Sequence, residues 1–112
     1  MKLWEQQYTF TNNLAKLITF IREQGFYPRL REVLRTKEQA EIYAQKGIGI
    51  KDSQHCDGLA ADIAINSPEG KYLDKSEEYE IFGKYWESLH PLNGWGGRFK
   101  RKDGNHFEMR DQ

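Results

Sequence analysis

The chain has 112 residues, 38% hydrophobic and 13% aromatic, with three prolines and no low-complexity tract, which excludes a disordered segment and fits one domain spanning residues 1–112. Seventeen basic residues cancel seventeen acidic ones, so no long-range field draws the chain to nucleic acid or an anionic membrane. No stretch approaches the ~20 apolar residues of a membrane span. The amino terminus carries a lysine but no apolar run of seven or more residues, so a secretory signal is not expected and synthesis in the cytoplasm is. The single Cys56 cannot close an internal disulfide.

In chain order, Leu14, Leu17, Ile18 and Ile21 recur at helical spacing and Gly25 follows, which predicts a first helix over 11–24. Residues 26–34 contain Pro28 and alternate loosely, as an edge strand does. Thr36 and Gln39 stand as a capping box for a second helix over 37–46. Gly47 and Gly49 open a loop, and residues 59–65 form an apolar strand interrupted by Asp62. Ser76-Glu-Glu-Tyr begins a third helix ending near Leu89, with Pro91 beyond it. A glycine-rich stretch, 93–97, leads to a terminal strand over 106–110. Arg98, Lys100, Arg101 and Lys102 read as a solvated loop or as a contact for an acidic substrate.

An ionised Asp62 among Ala60, Ala61, Ile63 and Ala64 would cost several kcal/mol without a cationic partner. A metal ion or a buried arginine answers that need. His55 precedes the turn-forming pair Asp57-Gly58, so chain reversal there can bring its imidazole to Asp62. His106 opens the terminal strand, which can lie beside the strand of Asp62. Two imidazoles, one carboxylate and an open fourth position suit catalytic zinc, whereas each residue alone also reads as an ordinary loop or strand residue. Asp103 stands three residues before His106 across a Gly104-Asn105 turn, placed to take a proton from a metal-activated water, or simply to close a loop tip. Arg35 is a candidate oxyanion contact or a surface ion pair, and Ser53 a site hydrogen-bond partner or a loop hydroxyl. Trp95, set among glycines, is a candidate substrate contact or a core residue.

Two segments, Ser53-Gln-His55-Cys-Asp-Gly58-Leu-Ala60-Ala-Asp62 and Asp103-Gly-Asn-His106-Phe-Glu, resemble the signature motifs of the D-Ala-D-Ala peptidase and hedgehog-type zinc family. The first fits Ser-x-His-x-x-Gly-x-Ala-x-Asp at every fixed position, and Arg35-Thr-Lys-Glu-Gln39 resembles the family's Arg-Thr-x-x-x-Gln element. Within the family the chain is most similar to phage endolysins that are L-alanyl-D-glutamate endopeptidases, in which aspartate often replaces the glutamate of the carboxypeptidases. The resemblance implies an α+β fold with a small antiparallel sheet flanked by about three helices. It implies zinc on His55, Asp62 and His106, Asp103 as base, and Arg35 as a substrate or oxyanion contact. The implied substrate is the peptidoglycan stem peptide, cut by a monomer that acts on the cell wall.

Other readings stay open: a D,D-carboxypeptidase or dipeptidase that trims D-Ala ends, a non-catalytic zinc-stabilised binding module, or a hydrolase built on Cys56. The last suffers because Cys56 has no evident helix start to favour its thiolate.

Overall fold

The computed structural model describes residues 1–33, 38, 39, 42, 45–47 and 57–110. The first helix, α1, runs Leu3–Glu23, eight residues earlier than its apolar repeat suggests. Its early turns bury Gln6, Phe10 and Asn13 on the same face as Leu17 and Ile21, and the polar members hide the periodicity. The Glu5 carboxylate accepts from the Lys2 backbone N–H at 2.9 Å and closes the amino-terminal end. Gly25, at φ 85°, ends the helix with the paired bonds Phe26 N–H to Ile21 O and Gly25 N–H to Arg22 O.

Four antiparallel strands follow: β1 Tyr27–Leu30, β2 Ala60–Asn66, β3 Asn93–Trp95 and β4 His106–Met109, in the spatial order β1-β2-β4-β3. The edge strand, the central strand and the terminal strand stand where the sequence pattern places them. The third strand does not: its Asn-Gly-Trp sequence reads as a loop, and it is a strand because Gly94 and Trp95 pair with Glu108 and Phe107. Of the helix expected over 37–46, Glu38, Gln39, Ile42 and Gln45 are helical, while Thr36 lies outside the described residues. The helix expected from Ser76 divides into a 3-10 turn, Ser76–Tyr79, and α2, Glu80–Leu89.

Helices α1 and α2 cover one face of the sheet. Leu17 and Ile21 of α1 and Phe82 and Trp86 of α2 join Ile63, Ile65, Phe107 and Met109 of the strands in a continuous buried cluster. Trp86 lies at its centre, edge-on to Phe10 at 5.5 Å and to Phe107 at 6.1 Å, and its indole N–H donates to the backbone oxygens of Gly94 and Glu108. Because side chains alternate across a strand, the opposite face of β2 presents Ala60, Asp62, Ala64 and Asn66, and that of β4 presents His106 and Glu108. The sheet therefore has an apolar side under the helices and a polar side that carries the chemistry. Among the described residues no helix is long and apolar enough to cross a membrane.

Candidate metal centre

Asp62 and His106 are direct cross-strand partners in the β2–β4 ladder. Non-adjacent in sequence, they meet because antiparallel register puts their side chains on the same face. The His106 Nδ1 lies 3.2 Å from Asp62 Oδ1, and Nε2 lies 2.8 Å from Glu108 Oε1. Small residues, Ala60 and Ala64, flank Asp62 along its face of β2 and leave the carboxylate unobstructed by its neighbours. Beyond Leu30 the pairing becomes irregular: Arg31 N–H donates to Asp62 O and Asp62 N–H donates to Glu32 O, each at 2.8 Å. Two residues thus oppose one, as in a bulge, and Arg31 is turned to the rim of the site.

Burial would by itself lower the pKa of His106, but hydrogen bonds to Asp62 and Glu108 and the charges of both outweigh it and push it up to about 9. Protonated, His106 is one cationic partner for Asp62 among the described residues. A metal ion bound at this place would replace that proton, since a histidine ligand must be neutral.

Asp103 arrives by a tight turn whose every element is fixed. His106 N–H donates to Asp103 O at 3.1 Å, and Asp103 N–H donates to Gly96 O at 2.9 Å. Gly104 N–H donates to Ser76 Oγ at 2.9 Å, and the Trp95 indole N–H donates to Gly104 O at 2.7 Å. A Cβ at Gly96 would collide with the Asp103 carbonyl and stand 2.9 Å from the His106 Cβ, so only glycine permits this approach. One potential ligand atom from each of Asp62, Asp103 and His106 falls within 4.8 Å of the others.

The donor set suits zinc. Imidazole nitrogen and carboxylate oxygen are both zinc ligand atoms, and two atoms of a tetrahedral shell with bonds of about 2.0–2.2 Å stand about 3.4 Å apart. The 3.2 Å between His106 Nδ1 and Asp62 Oδ1 is close to that edge length. Asp103 differs from both in being solvent-exposed.

Of the other residues singled out in the sequence, His55, Arg35 and Ser53, and with them Cys56, lie outside the described residues. Trp95 is corrected: it is 4% exposed rather than open among its glycines, and its indole supports the 103–106 turn from within the core instead of facing a substrate. Residues without a sequence signal line the approach. A cavity of about 550 Å³ borders Arg31, Val33, Asp62, Ala64, Tyr72 and Asn105. A smaller one of about 160 Å³, lined by Lys75, Ser76, Lys102 and Asp103 among others, shares Tyr72 and Asn105 with it. Arg29 packs over the Tyr72 ring at 5.8 Å and donates to Asn66 Oδ1, which fixes one wall.

The four-stranded sheet and the 103–106 turn bring an imidazole and two carboxylates together beside an open cleft. The family model described as D-alanyl-D-alanine carboxypeptidase matches residues 46–109, more than half of the chain and the part that contains Asp62, Asp103 and His106. The chain belongs to this family, the M15 peptidases that act on peptidoglycan. Among solved structures it is similar to the Serratia marcescens L-Ala D-Glu endopeptidase ChiX, with a TM-score of 0.71 and 21% identity over 98% of this chain and 87% of that one. At that identity the likeness establishes the fold. No curated protein matches the chain.

Proposed function

We propose that the chain is a zinc-dependent endopeptidase of the phage endolysin type that hydrolyses the L-alanyl-D-glutamate bond of the peptidoglycan stem peptide at the cell wall. His55, Asp62 and His106 are the proposed zinc ligands, Asp103 the base, and Arg35 and Ser53 substrate contacts. The observation that carries this reading is the convergence of ligand atoms of Asp62, Asp103 and His106 within 4.8 Å, with Asp62 lining an open cavity of about 550 Å³. Zinc, when bound, polarises the scissile carbonyl and acidifies a water molecule beside it. Asp103 takes the proton of the attacking water and delivers it to the amine nitrogen as the C–N bond breaks, so the products are a carboxylate and an amine. The pinned 103–106 turn holds that carboxylate in reach of the substrate, which converts proton transfer into a local event.

The description of the matching family favours a second reading, a carboxypeptidase that removes terminal D-alanine. The two readings part on products. Digestion of purified peptidoglycan gives new amino termini on glutamate under the first and free D-alanine under the second. Release of D-alanine without new glutamate termini would sink the endopeptidase assignment.

A further inference from the structure

The chemistry above leaves one withdrawn acid without a role. Glu108 stands two residues beyond His106 on the same face of β4, its side chain 13% exposed, with Oε1 2.8 Å from His106 Nε2. The imidazole is spanned by two carboxylates, Asp62 at Nδ1 and Glu108 at Nε2. The other Glu108 oxygen lies 3.7 Å from Arg110 Nε. Gly94, the β3 partner of Glu108, makes room for that arginine, since a Cβ there would stand 2.8 Å from Arg110 Nη2. The Glu108 carbonyl is held from below by the Trp86 indole N–H at 2.9 Å.

A neutral imidazole has one N–H and one lone pair, and only the lone pair can bind a metal. Asp62, beside Nδ1, attracts the N–H to the nitrogen that should face a shared cation. Glu108 offers the competing acceptor at the shorter distance, 2.8 Å against 3.2 Å. We propose that Glu108 is a positioning residue: by accepting the Nε2–H of His106 it selects the tautomer whose Nδ1 lone pair faces Asp62 and the cation they share. The inference rests on the zinc reading of this site. A carboxylate behind the ring also makes Nδ1 a stronger donor to a metal.

The test is the zinc affinity of the full chain and of Glu108→Ala and Glu108→Gln, measured by competition with a chromophoric chelator. Glu108→Ala is expected to bind zinc about 10- to 100-fold more weakly, and Glu108→Gln, which keeps an acceptor oxygen, to recover most of the loss. Equal affinity of Glu108→Ala and the unsubstituted chain overturns the proposal, as does a Glu108→Gln variant no better than Glu108→Ala. Nitrogen-15 spectra of the zinc-loaded, unsubstituted chain test it without mutation: His106 should carry its proton on Nε2, and a proton on Nδ1 overturns the assignment. If the unsubstituted chain binds no zinc, the zinc reading itself fails, a result separate from equal binding by the variants.

Discussion

Asp103 is exposed where Asp62 and His106 are drawn into the sheet, a difference that fits the proposed division between a base and two ligands. Asp103→Asn keeps the side-chain shape and removes the proton acceptor, so turnover should fall by about 10²- to 10⁴-fold with zinc content unchanged. Kinetics on a stem-peptide substrate, paired with metal analysis, check this; an equal loss of zinc would make Asp103 a ligand instead. Asp62→Ala should instead abolish zinc retention, because it removes the oxygen facing His106 Nδ1. At this scale the sequence is informative when a residue violates its surroundings. Asp62 announces itself as a charge in an apolar strand, and the need for a cation beside it follows from solvation alone. That the partner among the described residues is His106 depends on strand register, which no local spacing encodes. Glu108 escapes notice because an acid alternating with Phe107 and Met109 is what an ordinary half-buried strand looks like. Trp95 misleads for the converse reason: its glycine neighbours suggest exposure, yet they are where the chain packs most closely.

The element that decides the site is the 103–106 turn, and it is held by groups outside it. Ser76→Ala deletes the acceptor for Gly104 N–H and should destabilise the protein by about 1–3 kcal/mol, a loss seen in denaturant unfolding. Turnover should fall as well, since the same turn aims Asp103. Tyr79, the last residue of the 3-10 turn, joins that turn to the central strand, donating to Leu73 O at 2.8 Å and accepting from Ile65 N–H at 3.2 Å. Burial raises its pKa to about 12 from the usual 10. Because the folded value is the higher one, its contribution is complete below pH 10 and is lost as pH rises through about 12. Unfolding measured across that window should show the loss, and Tyr79→Phe should flatten it. The apolar central strand and the second half of α1, with its end at Gly25, are legible from patterning, whereas the polar buried residues Gln6 and Asn13 hide the start of α1. The third strand is not legible, because two of its three residues, Asn93 and Gly94, are poor strand formers and the segment is too short to show a pattern before it pairs with Phe107 and Glu108.

Over the whole molecule, the sheet separates labour by face: helices and aromatic side chains cover one side, and Asp62, His106 and Glu108 occupy the other. The α+β class and a small antiparallel sheet follow from the resemblance carried by the 53–62 and 103–108 motifs, whereas the order β1-β2-β4-β3 is not legible in the sequence. The β2–β4 pairing joins residues 44 to 48 apart, and Phe107 and Ile63 of the two strands pack into the common core. A metal ion bound between those two strands would tie them together, and ligand linkage gives the expected effect: zinc at 100 times its dissociation constant should add about 2.7 kcal/mol of stability. Thermal unfolding should rise with added zinc and fall with a chelator. The most direct test is end-group analysis of purified peptidoglycan digested by the zinc-loaded protein, before and after metal removal. New amino termini on glutamate should appear with the loaded protein, disappear on chelation and return with zinc. Undiminished cleavage after the metal is removed, or no new termini with zinc present, would contradict a zinc-dependent endopeptidase built on Asp62, Asp103 and His106.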